Sequence, residues 1–313
     1  MRLSLWEILL RTKEGPIVEE KAFDLSIFRK AQELQKKYHI KYDPENPLDI
    51  NGGLADRVYQ AGVEFFLDIG TYCTTTHRVI RLTEQELQAE IASCPDELEL
   101  GQGEDRVKAV HRDVEGQQEP VVVAGLQTVP FSDEEMMFKI TKGCAMDRCI
   151  DGIWGGVLLK ISGKYDIVAG TPSEVYQYRK TIEIMRRAID AAGRPGMIII
   201  NNAPTSLATI AMYNEECGLR KTDGIETTGM SEVKVAYDDL NRCAFGLAHG
   251  VHIHGSHSAV LGGFSGTPEG AAIVAVAGAL QLVAVQKADS FRCGVIESMV
   301  KSRVTRKELW AAG

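Results

Sequence analysis

The chain has 313 residues, 44% hydrophobic and 25% charged, the composition of a folded globular protein long enough to bury one large core or two smaller ones. Its 35 lysines and arginines against 43 aspartates and glutamates give a net charge of −8, so there is no basic footprint for nucleic acid or anionic lipid. Disordered, fibrous and nucleic-acid-binding classes are excluded.

The first eleven residues hold a short apolar stretch that Glu7 interrupts, with no small-residue cleavage site after it, which argues against a secretory leader. Residues 28–38 and 53–70 carry apolar side chains at helical spacing, and Thr83 with Glu86 three residues on forms a capping-box pattern that opens a helix to Ser93. The polar run 96–118 contains Leu100-Gly-Gln-Gly-Glu-Asp105. Its isolated glycines do not make a phosphate loop, because no apolar strand leads into them and no helix start follows.

From Pro120 the pattern becomes regular. Strands are expected at 120–126, 151–159, 197–202, 222–228, 251–256 and 290–295, with helices at 134–144, 173–192, 205–217, 232–247 and 269–286. Gly193-Arg-Pro-Gly196 supplies the stop signal for the second of these helices. The uncharged stretch 270–286 is 17 residues long, rich in alanine and interrupted by Gln281 and Gln286, so it reads as a buried helix and not as a membrane span.

Six strands, each followed by a helix, predict a parallel α/β sheet, since parallel neighbours need crossover helices. A closed (β/α)8 TIM-type barrel is preferred to an open doubly wound sheet, whose first strand should lead into a glycine-rich turn. About six β/α units are present, and residues 305–313 read as an unfinished helix, so the barrel is expected to be incomplete at its C-terminus. Composition divides the chain into an N-terminal helical extension, 1–117, and barrel units, 118–313. Seven scattered cysteines, an odd number, fit reduced thiols and a cytoplasmic location.

The densest chemical signal is four histidines, His249, His252, His254 and His257, around the fifth strand. Period-two geometry sets His252, His254 and Ser256 on one face, and His257 stands toward the strand's C-terminal end, where barrel sites are built. His252, His254 and His257 together could hold zinc through three nitrogens and leave one position open; hydrogen bonding in the core is the alternative. Asn201 and Asn202 close the third strand as candidate substrate-binding amides, and Glu226 on the fourth is a candidate general acid. Cys144 and Cys149 have no second pair and read as structural thiols; Arg292 and Cys293 carry no assigned chemistry.

Across most of its length the chain resembles the monomethylamine methyltransferases of methanogens, which pass a methyl group to a corrinoid protein. The resemblance rests on Ala31-Gln-Glu-Leu-Gln-Lys-Lys-Tyr38, Tyr72-Cys-Thr-Thr-Thr-His-Arg78, Leu100-Gly-Gln-Gly-Glu-Asp105, Gly193-Arg-Pro-Gly-Met197, Thr205-Ser-Leu207 and Gly262-Gly-Phe-Ser-Gly266, in order and at similar spacing. It implies a (β/α)8 barrel, a corrinoid-protein partner, a small methylated substrate and a homo-oligomer. The family's pyrrolysine position falls near Ile200 or Asn201, a nearby family glutamate is replaced around Pro204, and a second family carboxylate corresponds to Ser256. The expectation is therefore methyl transfer from a methylamine-like donor to Co(I) of a corrinoid protein without pyrrolysine. His254, His257 and Glu226 would be catalytic, Asn201, Asn202 and Ser256 would bind the donor, and zinc at the histidines could activate it. A metal-dependent hydrolase using the His252 and His254 pair, or a non-catalytic binding relative, is the alternative.

Overall fold

The computed structural model describes residues 2–43, 45, 53–110, 117–126, 130–162, 164–201 and 203–297, and for 293–297 the backbone alone. Helices α1 (Leu5–Glu14), α2 (Glu20–Lys37) and α3 (Gly53–Ile69) precede a hairpin of β1 (Thr71–Cys73) and β2 (Arg78–Ile80), then α4 (Glu84–Ala92). A second hairpin pairs β3 (Glu97–Leu100) with β4 (Val107–Val110). There follow β5 (Val123–Gly125), β6 (Pro130–Phe131), α5 (Glu134–Met146), β7 (Gly152–Trp154), β8 (Val157–Leu158), β9 (Lys160–Ile161) and β10 (Tyr165–Asp166). The chain continues through α6 (Pro172–Ala191), β11 (Ile198–Asn201), α7 (Ser206–Met212), β12 (Gly224–Gly229) and β13 (Lys234–Val235). It then forms α8 (Tyr237–His249), β14 (His252–Leu261), α9 (Pro268–Ala284) and β15 (Ser290–Glu297).

Helix starts follow local chemistry. Thr83 and Glu86 close the expected capping box on α4, the Thr83 hydroxyl accepting from the Glu86 amide and the Glu86 carboxylate accepting from the Thr83 amide. Ser4 and Glu7 do the same for α1. Thr205 and Thr267 cap α7 and α9, and Pro172 and Pro268 occupy first-turn positions whose missing N–H has no helical partner to lose.

Six strands share one sheet in the order β5, β7, β11, β12, β14, β15, which is also their order along the chain. A doubly wound sheet reverses direction at a switch point; this one does not, which is the winding of a TIM-type barrel. The fold class is therefore α/β with TIM-type β/α units preceded by helices. Neighbours β5, β7, β11 and β12 are parallel, with Gly125 beside Trp154, Trp154 beside Ile200, and Ile200 beside Gly224.

Four expectations shift in detail. The strand expected over 151–159 is two, because Gly155 and Gly156 interrupt it and β8 pairs with β6 outside the main sheet. The helix expected over 205–217 ends at Met212, where Asn214 turns the chain by accepting from the amides of Glu216 and Cys217. The helix expected from 232 starts at Tyr237, after a turn in which Val233 adopts φ 54° and after β13. The polar run at 96–118 contains the β3–β4 hairpin, signalled by the Glu97-Leu98-Glu99-Leu100 alternation. Residues 305–313 lie outside the described residues.

Contacts divide the chain into two compact units, residues 1–94, 228–240 and 255–313 in one, and 95–227 and 241–254 in the other. The first thus draws on both sides of the compositional boundary at 117. Its core packs α9 against α2, α3 and α4, with Ile27, Phe65, Phe66, Ile273 and Val274 buried. Buried Lys234 pairs there with Asp24 at 2.7 Å and Glu20 at 2.8 Å, and buried Lys287 with Glu90 at 2.8 Å. In the second unit α6 packs on α5 and α7, and the β3–β4 hairpin contributes Leu100 to a cluster with Trp154, Ile198 and Ile200. Among the described residues no helix is long and apolar enough to cross a membrane.

Candidate functional site

Strand alternation decides which side chains can meet. In a parallel pair, residues in register point to the same face, so Trp154, Ile200 and the bare Gly224 form one row across β7, β11 and β12. This face is the one on which Trp154, Ile198 and Ile200 pack with Leu100 of the hairpin. A Cβ placed on Gly224 would stand 3.2 Å from Cδ2 of His252, which puts His252 on the same face. Two residues further along each strand come Glu226 and His254, and Ser256 follows on β14 by the same period.

Glu226 is 1% exposed and Trp154 8%; His252 and Ser256 are buried, and His254 is half-buried. The rings of Trp154 and His254 meet at right angles, with centroids 5.0 Å apart and planes at 82°, a favourable aromatic geometry. The His252 and His254 rings lie 6.4 Å apart. An indole, at the last residue of β7, thus shares one strand face with a buried carboxylate and an imidazole. Such a set can bind a small polar or cationic group and hold or move a proton on it.

The odd-numbered positions turn to the helices. Asn201 is buried there, its Nδ2 donating to Sδ of Met212 in α7 at 2.9 Å. Thr227 Oγ1 accepts from the Cys243 thiol of α8 at 3.5 Å. His257, an odd position on β14, lies in the other unit against α9, where a Cβ on Gly278 would stand 2.2 Å from its Nδ1. Burial pushes its pKa down to about 4, only partly offset by the Met230 backbone, so the ring is neutral.

The structure therefore brings together Glu226, His252 and His254 and turns Asn201 to the helix side, while Ser256 and His257 belong to the other unit. Asn202 lies outside the described residues. A zinc site at His252, His254 and His257 needs all three on one side, which alternation forbids. Among the described residues no group of three or more His, Cys, Asp or Glu is placed to hold a metal. Trp154 is the site residue that sequence reasoning missed. Its signal was weak: a large aromatic ending a short strand before two glycines.

Two motifs singled out in the sequence meet in this unit and serve the backbone. Asp105 accepts from Nε of Arg194 at 2.5 Å and from the Gly196 amide at 3.0 Å. The Gln102 amide donates to the Gly196 carbonyl at 2.9 Å, and a Cβ on Gly196 would collide with the Gln102 carbonyl oxygen. The glycine-rich loop thus fastens the turn that leads into β11.

The family model described as monomethylamine methyltransferase MtmB matches residues 3–313. Monomethylamine methyltransferase MtmB of Methanosarcina mazei is 31% identical over 307 residues, 97% of this chain and 66% of that protein. MtmB2 of Methanosarcina acetivorans is 30% identical over the same shares. The crystal structure of Methanosarcina barkeri MtmB superposes with a TM-score of 0.91 at 26% identity, over 98% of this chain and 67% of that one. The crystal structure of the hydroxylamine MtmB complex gives the same values. The chain spans about two thirds of the length of the curated relatives it matches.

Proposed function

Because the chain belongs to the monomethylamine methyltransferase MtmB family, we propose that it moves a methyl group from a methylamine-like donor to Co(I) of a corrinoid protein, without pyrrolysine. The observation that supports this most is the shared strand face of Trp154, Glu226 and His254. It starts at Trp154, the last residue of β7, and runs on through Glu226 and His254, the third residues of β12 and β14.

The corrinoid, carried by the partner protein, supplies the cobalt that accepts the methyl group. This chain's residues do the rest. Glu226 holds the donor nitrogen by charge-assisted hydrogen bonding, and its burial makes that contact stronger than it would be in water. His254 shares the proton on that nitrogen. Fixing the donor on a rigid strand face orients its methyl carbon for in-line displacement. His257 supports the fold behind the strand, and Asn201 ties β11 to α7. The donors present do not fit zinc, and no step runs through a metal.

The test is cobalt methylation, followed spectroscopically, when the protein is mixed with a Co(I) corrinoid protein and a panel of methylated amines. Glu226→Gln and His254→Gln are each expected to lower the rate about a hundredfold. Unchanged rates in both variants would remove these residues from the mechanism.

A further inference from the structure

We propose that the outer face of α1 is where a second copy of this chain docks, the two α1 helices running parallel to each other across a twofold axis. The inference concerns the unit that contains α1 and does not depend on the methyl-transfer reading.

A surface helix needs one apolar stripe to hold it on the core, and α1 has two. Ile8 and Thr12 are buried, and Leu5 beside them packs against the buried cluster of its unit. The opposite stripe holds Trp6, 78% exposed, and Leu10, 50% exposed, four positions apart and so adjacent on the helix surface. The apolar stretch that Glu7 interrupts therefore serves two surfaces. The helix cannot turn to hide the second one. Ser4 and Glu7 close its capping box, and Arg11 donates to both carboxylate oxygens of Glu86, at 3.0 and 2.5 Å, and to the Arg81 carbonyl at 2.8 Å. A tryptophan held in place before its partner arrives is the kind of residue that carries most of an interface's energy.

The flanks of the stripe select the partner and its direction. At about 100° per residue, Lys13 falls on one flank of the Trp6 and Leu10 stripe, and Glu7 and Glu14 fall on the other. Lys13 and Glu14 are exposed and have no ion-pair partner among the described residues. A twofold axis parallel to the helices sets each flank against the opposite flank of the other copy, so that Lys13 of one meets Glu14 of the other, twice. A perpendicular axis would run the helices antiparallel and set the two acidic flanks together. A lipid surface fits less well, because the chain carries a net charge of −8 and two carboxylates border the stripe. Tryptophan brings on the order of 200 Å2 to a contact, and a standard interface takes about 800 Å2 from each partner. Trp6 and Leu10 make up about a third of such a face, with the charged side chains as its polar rim. That size predicts a dissociation constant on the order of 10 µM.

The test is sedimentation velocity and light scattering of the whole chain from about 1 to 200 µM, a range that brackets this value. A monomer–dimer equilibrium is expected. Trp6→Glu and Leu10→Glu should each weaken it about tenfold or more, with circular dichroism confirming the fold. Lys13→Glu should weaken it about fivefold, and adding Glu14→Lys in the same chain should restore it. These charge changes touch exposed side chains alone, so they decide the matter if Trp6→Glu does not fold. A monomer throughout, an assembly that neither Trp6→Glu nor Leu10→Glu reduces, or a dimer indifferent to Lys13→Glu overturns the proposal. Binding of a monomeric chain to phosphatidylglycerol vesicles, lost in Trp6→Glu, would give the face to lipid and overturn it as well.

Discussion

His257 and Gly278 show how one contact can outweigh an intrinsic preference. Alanine is a better helix former than glycine by about 1 kcal/mol, so Gly278→Ala would stabilise an isolated α9. Here the new Cβ would stand 2.2 Å from a buried imidazole, and overpacking of that kind costs about 1–3 kcal/mol. Gly278→Ala is therefore expected to lower the thermal midpoint in the wild-type background and to raise it, or leave it unchanged, in a His257→Ala background. The same imidazole makes stability depend on pH. Its folded pKa is depressed from 6.5 to about 4, so between these values the unfolded chain binds more protons. The contribution, at most about 3 kcal/mol, is fully present above pH 6.5 and is lost as the pH falls toward 4. Urea midpoints of wild type and His257→Leu should converge across that window; parallel curves would show that the ring is not the titrating group.

At the scale of elements, the turn into β11 depends on a buried ion pair from a loop some ninety positions earlier. Breaking such a pair costs about 3–5 kcal/mol because it strands one buried charge, whereas replacing both partners by apolar residues costs far less. Asp105→Asn is expected to destabilise by that amount, and Asp105→Leu with Arg194→Met to cost less than either single change, in a double-mutant cycle read by urea denaturation. Additive single costs would show that the pair is not coupled. Sequence periodicity located α9 and all six main strands, and the capping box located the start of α4. It missed the β3–β4 hairpin because four residues of alternation inside a polar run are too few to stand out. It overran α7, because Asn214 ends that helix through bonds visible only once the turn is formed.

For the whole molecule, the net charge of −8 and an isoelectric point near 5.5 predict least solubility close to that pH. That value falls inside the window in which His257 weakens the fold, so precipitation near pH 5.5 should be steeper on warming than at pH 7.5. His257→Leu should soften that temperature dependence without moving the solubility minimum, which is set by total charge. A minimum displaced in the variant would contradict that division.

The sequence alone pointed to the fold class and the family, because each rests on signals that repeat along the chain: periodicity, helix caps, and motifs in a fixed order. It also supplied Glu226, His252 and His254 as candidates. The even spacing of His252 and His254 already put that pair on one face of their strand; only the tertiary structure decided that Glu226 joins them. His257 stands three residues from His254, and an odd step along a strand reverses the side chain. Trp154 lies about a hundred residues from His254, yet register and a bare Gly224 bring the two rings to 5.0 Å. Strand pairing sets such distances, and pairing is a property of the folded sheet that no single strand encodes.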